Sequence, residues 1–304
     1  MSTTAGARRR PDFFIVGAPK CGTTALWTWL RQHPEIFMPE RKEPNFFCSD
    51  LEISRAIRDE DVYLALFAPA RDEKRLGEAS VWNLFSRRAA GAIRAFNEAA
   101  SIIIMLRSPV EMLYSLHGQR FFSGYEDDAD FATALERGRS SNGFALLKAS
   151  GLLEAPFCRE LGLYAEQVER YLETFGEDRV RVIIYDDFRA DPRAAYQATL
   201  RFLGVDPSFV PALSRVNEGV RLRMPFLHRL VRTPPTPVRL AARALVPRPA
   251  RQRLAATITV ANSQAGARAP LPAEVRRSLQ DQFAPDVARL SGLLGRDLGH
   301  WVRS

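Results

Sequence analysis

The run Ser101-Ile102-Ile103-Ile104-Met105-Leu106 constrains this chain more than any other stretch. After its first residue it is apolar without alternation and β-branched at its centre, so it reads as a strand covered on both faces. Phe13–Val16 has the same character, and Arg75–Ala79 and Val180–Tyr185 are further candidate strands. Helical patterns separate them: Thr24–Gln32, ended by His33-Pro34; Ser86–Phe96; a helix opening at Pro109, where proline suits the first turn; Glu160–Phe175; and Pro192–Leu203, stopped by Gly204. Short buried strands alternating with helices imply an α/β fold with a central parallel sheet flanked by helices. Pro272–Gly295 adds a C-terminal helix with Leu279, Phe283, Val287, Leu290 and Leu294 along one face.

The 304 residues are 46% hydrophobic, enough for one large core, and residues 12–304 read as a single domain behind a disordered basic tail, 1–11. Arg8-Arg9-Arg10 mimics a twin-arginine export signal, but the apolar run after it stops at Pro19-Lys20 with no small-residue cleavage site. Three scattered cysteines, Cys21, Cys48 and Cys158, suggest neither a disulfide framework nor a zinc site and point to a cytoplasmic protein. No apolar run approaches the roughly 18 residues of a membrane span. The net charge of +8 suits anionic ligands, acidic polymers or an anionic membrane surface without choosing among them. Zinc-finger, basic-zipper and aromatic RNA-binding signatures are absent, so no nucleic-acid partner is expected. Residues 219–273 contain ten arginines and no acid, an insertion or lid that could also touch an anionic membrane through the mixed stretch Phe226–Arg232.

Between the first strand and the first helix lies Gly17-Ala18-Pro19-Lys20-Cys21-Gly22-Thr23-Thr24. A strand–turn–helix junction of this kind presents backbone N–H groups and the helix dipole to an anion. It is P-loop-like, but a nucleoside-triphosphatase loop places lysine after the second glycine, where Thr23 stands here; Lys20 comes two residues before Gly22 instead. Such enzymes also place an aspartate at a neighbouring strand end to help hold Mg²⁺, whereas the Ser101–Leu106 strand is followed by Arg107. A cation there repels a metal and attracts a further phosphate, so the ligand should carry a second phosphate and need no metal. A metal-dependent P-loop kinase or nucleotidase, and a noncatalytic nucleotide-binding or membrane-associated protein, remain the alternatives.

Pro19–Thr24 resembles the 5′-phosphosulfate loop of sulfotransferases that use 3′-phosphoadenosine 5′-phosphosulfate (PAPS), and Leu106–Glu111 through Tyr114-Ser115 resembles their 3′-phosphate segment. Lys42–Phe47, Gly77–Ser80, Gly162–Tyr164, Tyr185–Phe188 and Leu293–Asp297 continue the match, which is similar to bacterial members of the heparan sulfate N- and 3-O-sulfotransferase branch. The resemblance implies that PAPS is co-substrate and that Lys20, Cys21, Gly22, Thr23 and Thr24 hold its 5′ end, Lys20 serving the departing oxygen. It assigns Arg107 and Ser115 to the 3′-phosphate. Glu43, before the paired Phe46-Phe47, becomes the general base, with Lys42 beside it able to contact an acidic acceptor. His117 is the runner-up base, although two residues past Ser115 it points elsewhere on the helix. Glu78 and Ser80 are expected to face the acceptor, a carbohydrate, glycolipid or natural product. Relatives carry lysine where Ala79 stands, and their late basic nucleotide loop is replaced here by a stretch in which Arg221 or Arg223 could substitute.

Overall fold

The computed structural model of the chain describes residues 9–123, 126, 130–139, 159–212, 220–222, 257–258, 261, 263–265 and 270–303. Five strands form the central sheet: β1 (Phe13–Gly17), β2 (Ile36–Phe37), β3 (Arg75–Ala79), β4 (Ser101–Leu106) and β5 (Val180–Ile184). Their order is β2-β3-β1-β4-β5 and every pairing is parallel, as the unalternating apolar runs require. Phe13 through Val16 and Ile102 through Leu106 have no exposed surface. Gly77 lies opposite Phe13, and a Cβ there would stand 2.0 Å from the Phe13 ring, so a bare backbone is what lets that ring lie against β3.

The chain leaves β1 toward β2 and β3 and later crosses to β4 on the other side. That reversal makes the crevice outside the carboxyl ends of β1, β3 and β4 the natural ligand position. Helices cover the sheet. On α1 (Thr23–Leu30), Trp29 stacks on Phe188 of a helix at Tyr185–Ala190, with centroids 5.0 Å apart, and meets Tyr196 of the helix at Pro192–Leu203 edge-on. The amphipathic helix Tyr164–Phe175 packs against β4, β5, the helix Ala89–Phe96 and the long C-terminal helix Ala273–Leu294.

Several boundaries differ from the sequence reading, each for a physical reason. The segment from Glu160 does not run as one helix: Arg159–Gly162 is a 3₁₀ turn, and the α-helix opens only at Tyr164. There the carboxylate of Asp286, on the C-terminal helix, accepts the N–H groups of Tyr164 and Ala165, an N-cap supplied from far along the chain. Ser86 is a cap rather than a helical residue, its hydroxyl accepting the Arg88 and Ala89 N–H groups. Tyr185 opens a helix instead of closing β5. The sequence reading did not include the two-residue β2 or the helices Glu60–Ala65, capped by Asp59 on the Val62 N–H, and Phe131–Arg139. Arg9 and Arg10 are not tail-like, since Arg9 donates to the carbonyls of Arg71 and Glu73 and Arg10 pairs with Glu60 and covers the Phe96 ring.

Within 219–273, Val220–Leu222 and Ser263–Ala265 form an antiparallel pair with Arg221 opposite Gln264. Arg223, the mixed stretch Phe226–Arg232 and Cys158 lie outside the described residues. Among the described residues no helix is long and apolar enough to cross a membrane.

Candidate active site

The loop after β1 is pinned before it reaches α1. The Ala18 N–H donates to the Met105 carbonyl at 2.7 Å, joining the loop to β4, and Lys20 adopts φ 61°. Gly22 precedes α1 at φ 91°, where a Cβ would press on the Tyr185 ring at 3.2 Å and on Met105 at 3.3 Å. Only glycine fits that turn. The first turn of α1 has no side-chain cap and no acidic residue, so its leading N–H groups are left for an anion. Cys21 turns inward, its thiol directed at the Pro19 carbonyl and pushed up to about 12 by burial, so only its backbone is offered. Thr23 is buried and Thr24 half-buried.

Lys20 is half-buried and, among the described residues, has no ion-pair partner. Burial, and after it the positive charge of Arg107 with a smaller contribution from Lys42, hold its ammonium below the ordinary lysine range. The loop lysine and the strand-end arginine therefore share one electrostatic neighbourhood.

Arg107 is itself oriented. Its guanidinium lies over the Tyr185 ring, 5.0 Å from the centroid, and pairs with Glu111 one helical turn on at 3.4 Å. Glu111 takes its other oxygen to Arg276 of the C-terminal helix at 2.7 Å. Ser115 is half-buried four residues beyond Glu111 on the helix Pro109–Ser123, hence on the same face. His117 is fully buried, its ring 5.3 Å from that of Phe131.

Glu43 belongs to the crossover between β2 and β3 yet is fixed at the end of β3. Its N–H donates to the Ala79 carbonyl at 3.0 Å, and its φ is 61°. One carboxylate oxygen accepts Lys42 Nζ at 2.5 Å and the other accepts the Val81 N–H at 3.0 Å. The side chain keeps 30% of its surface exposed, so solvent or a substrate can still reach it.

Glu78 and Ser80, expected to face the acceptor, are both fully buried one layer behind Glu43. Glu78 Oε2 accepts the Tyr63 hydroxyl at 3.0 Å, and Ser80 Oγ accepts the Asn45 N–H at 3.0 Å. Burial pushes the Glu78 carboxyl up to about 7; the Ser80 and Tyr63 hydroxyls oppose that and the Glu43 charge adds to it. Arg221 sits at a known place in a strand pair, and its side chain is outside the described residues.

Sequence reasoning missed Tyr185 as the platform under Arg107, Glu111 and Arg276 as its tether, and Tyr63 behind Glu43. Only Glu111 was within reach of it, as an acid four residues after an arginine on a helix. Among the described residues no group of three His, Cys, Asp or Glu side chains could hold a metal ion.

The resulting arrangement is a bare helix N-terminus beside two cations, with Lys42, the ion-pair partner of Glu43, close enough to act on Lys20. A family model described as "Sulfotransferase domain" matches residues 10–220. A solved sulfotransferase from Alicyclobacillus acidocaldarius is 32% identical, with a TM-score of 0.73 over 97% of this chain and 100% of that one. Human carbohydrate sulfotransferase 15 is 26% identical over 267 residues, 71% of this chain and 46% of the relative. Mouse heparan sulfate glucosamine 3-O-sulfotransferase 3B1 is 26% identical over 202 residues, 66% of this chain and 48% of the relative. The chain thus spans less than half the length of these two relatives. With a family model over most of its described core and a solved structure matched end to end, the chain belongs to the sulfotransferase domain family.

Proposed function

We propose that this chain transfers a sulfuryl group from PAPS to a hydroxyl or amine of an acceptor, with Glu43 as general base. The observation that carries the reading is Lys20: a half-buried ammonium without a described counter-charge, beside a bare helix N-terminus and a second cation. An isolated buried charge is costly, and an anionic ligand removes that cost.

In this reading the backbone of Cys21, Gly22, Thr23 and Thr24 holds the 5′-phosphate, and Arg107 with Ser115 holds the 3′-phosphate. The acceptor oxygen or nitrogen attacks sulfur in line, and its proton passes to Glu43. The bond from sulfur to the 5′-phosphate oxygen breaks, its electron pair leaves on that oxygen, and Lys20 compensates the charge. Positioning and preorganised charge dominate such transfers, so no metal is assigned a step. Lys42 is available to an acidic acceptor. A carbohydrate is favoured because the two animal relatives are named for carbohydrate and heparan sulfate glucosamine substrates; a glycolipid or hydroxylated natural product fits the same residues.

Calorimetry with adenosine 3′,5′-bisphosphate tests the donor site, and ³⁵S incorporation from labelled PAPS into desulfated heparin and a cell extract tests transfer. Binding of the bisphosphate, with transfer that survives EDTA, is expected. No heat of binding on folded protein would overturn the reading, and metal-dependent turnover of ATP would replace it with a kinase or nucleotidase.

A further inference from the structure

Glu78 is a carboxyl without exposed surface, one residue from the end of β3 and in register with Phe14 of β1. Burying such a group is costly unless its acceptor oxygens are put to use. Here they lead in one direction. Tyr63 donates to Oε2, and the Tyr63 ring stacks on Phe46 with centroids 4.4 Å apart. Ser80 takes the Asn45 N–H on its oxygen and stands beside the Glu78 carboxyl, whose charged form its hydroxyl favours. Oε1 has no hydrogen-bond partner of its own. Together with the Glu43 N–H on the Ala79 carbonyl, these contacts grip the crossover at positions 43, 45 and 46. One of these contacts ends on the buried Glu78 carboxyl through Tyr63, and a second lies beside it at Ser80.

We infer that Glu78 is a positioning residue for the transfer: through the Tyr63 and Ser80 hydroxyls it fixes the Lys42–Phe47 segment, and with it Glu43. The inference rests on the reading of Glu43 as base. The titratable groups around Glu78 are Tyr63 from the helix Glu60–Ala65, Lys42, Glu43 and Cys48 from the crossover, and Tyr171 from the helix Tyr164–Phe175. The Tyr63 hydrogen bond strengthens when its acceptor is ionised, and the neighbouring Ser80 hydroxyl favours the same charged form. Ionisation of Glu78 near neutral pH therefore tightens the segment, and the Glu43 charge beside it then meets a second negative charge.

Hydrogen–deuterium exchange on the full chain tests this without a ligand. In Glu78→Gln the Glu43 and Asn45 amides should exchange roughly tenfold faster, the worth of about one hydrogen bond, while β1 and β4 stay protected and the melting temperature holds or rises. Single-turnover release of ³⁵S-sulfate from labelled PAPS to water should slow by about tenfold with unchanged affinity for adenosine 3′,5′-bisphosphate, and should lose a step near neutral pH. Unchanged exchange at both amides overturns the inference. So does faster exchange throughout the sheet with a lower melting temperature, the mark of a residue that only supports the fold. Glu43→Gln, measured alongside, separates the two readings. Normal sulfate release in that variant removes Glu43 as base, while amide exchange still reports whether Glu78 positions the segment.

Discussion

Lys20 and Arg107 stand where β1 and β4 end, Glu43 where β3 ends, yet the two halves of the site are held in different ways. On the β1–β4 side the cations are aimed but under-compensated: Lys20 lacks a described counter-ion, and Arg107 shares Glu111 with Arg276. On the β3 side both oxygens of Glu43 are occupied, and the layer behind it is closed by Tyr63, Glu78 and Ser80. Under the proposed function, the first half is completed by the donor's negative charge, whereas the second has its contacts made beforehand around Glu43, the proposed base.

The contrast can be broken most sharply at Lys20. Lys20→Ala should lower kcat by about 10³, the scale of losing a preorganised charge at a developing anion, and single-turnover ³⁵S transfer will show it. A variant with wild-type turnover would mean that the under-compensated half does no electrostatic work. The β3 side carries the next largest effect, read as stability. Glu78 has its carboxyl raised from 4.5 to about 7, so its protonated form favours the folded state; that advantage is complete below pH 4.5 and is lost as pH rises to about 7. Glu78→Gln should therefore stabilise the protein on the order of 3 kcal/mol at pH 8 and hardly at all at pH 4, as urea titrations at the two values would show. Equal stability changes at both pH values would remove Glu78 from the closed layer.

Glu43→Gln should slow the chemical step by about 10² while leaving bisphosphate affinity intact. A loss of affinity in step with rate would place Glu43 on the donor side and dissolve the division. The smallest effect is expected at Arg107. Arg107→Ala should weaken adenosine 3′,5′-bisphosphate roughly tenfold and leave adenosine 5′-phosphosulfate unchanged, since a single charge-assisted contact is worth that much. Equal weakening of both ligands would show that Arg107 does not read the 3′ end.

The division also sorts what the sequence could reveal. Local signals pointed to the β1–β4 half: an unalternating strand, glycines at set spacing, Lys20, and an arginine directly after an isoleucine-rich run. Each signal belongs to a contiguous stretch, even though the loop is finally pinned through Met105 of β4 and Tyr185. The β3 half was reached only by family likeness, because Glu43 reaches β3 through the Ala79 carbonyl and the Val81 N–H, and no pattern around Glu43 encodes those contacts. Glu78 and Ser80 were expected to face the acceptor but are buried; strand alternation could not show this, since every residue of β3 after Arg75 is covered and Ser80 follows it directly. The late start of the helix at Tyr164 was invisible for the same reason, its cap being Asp286.

The link from Arg107 through Glu111 to Arg276 has a consequence in time. The loop after β1 is translated well before the tether of Arg107 and the cap at Tyr164, both of which lie on the C-terminal helix. If Arg107 serves the proposed donor site, affinity for adenosine 3′,5′-bisphosphate should mature only after the sheet has formed.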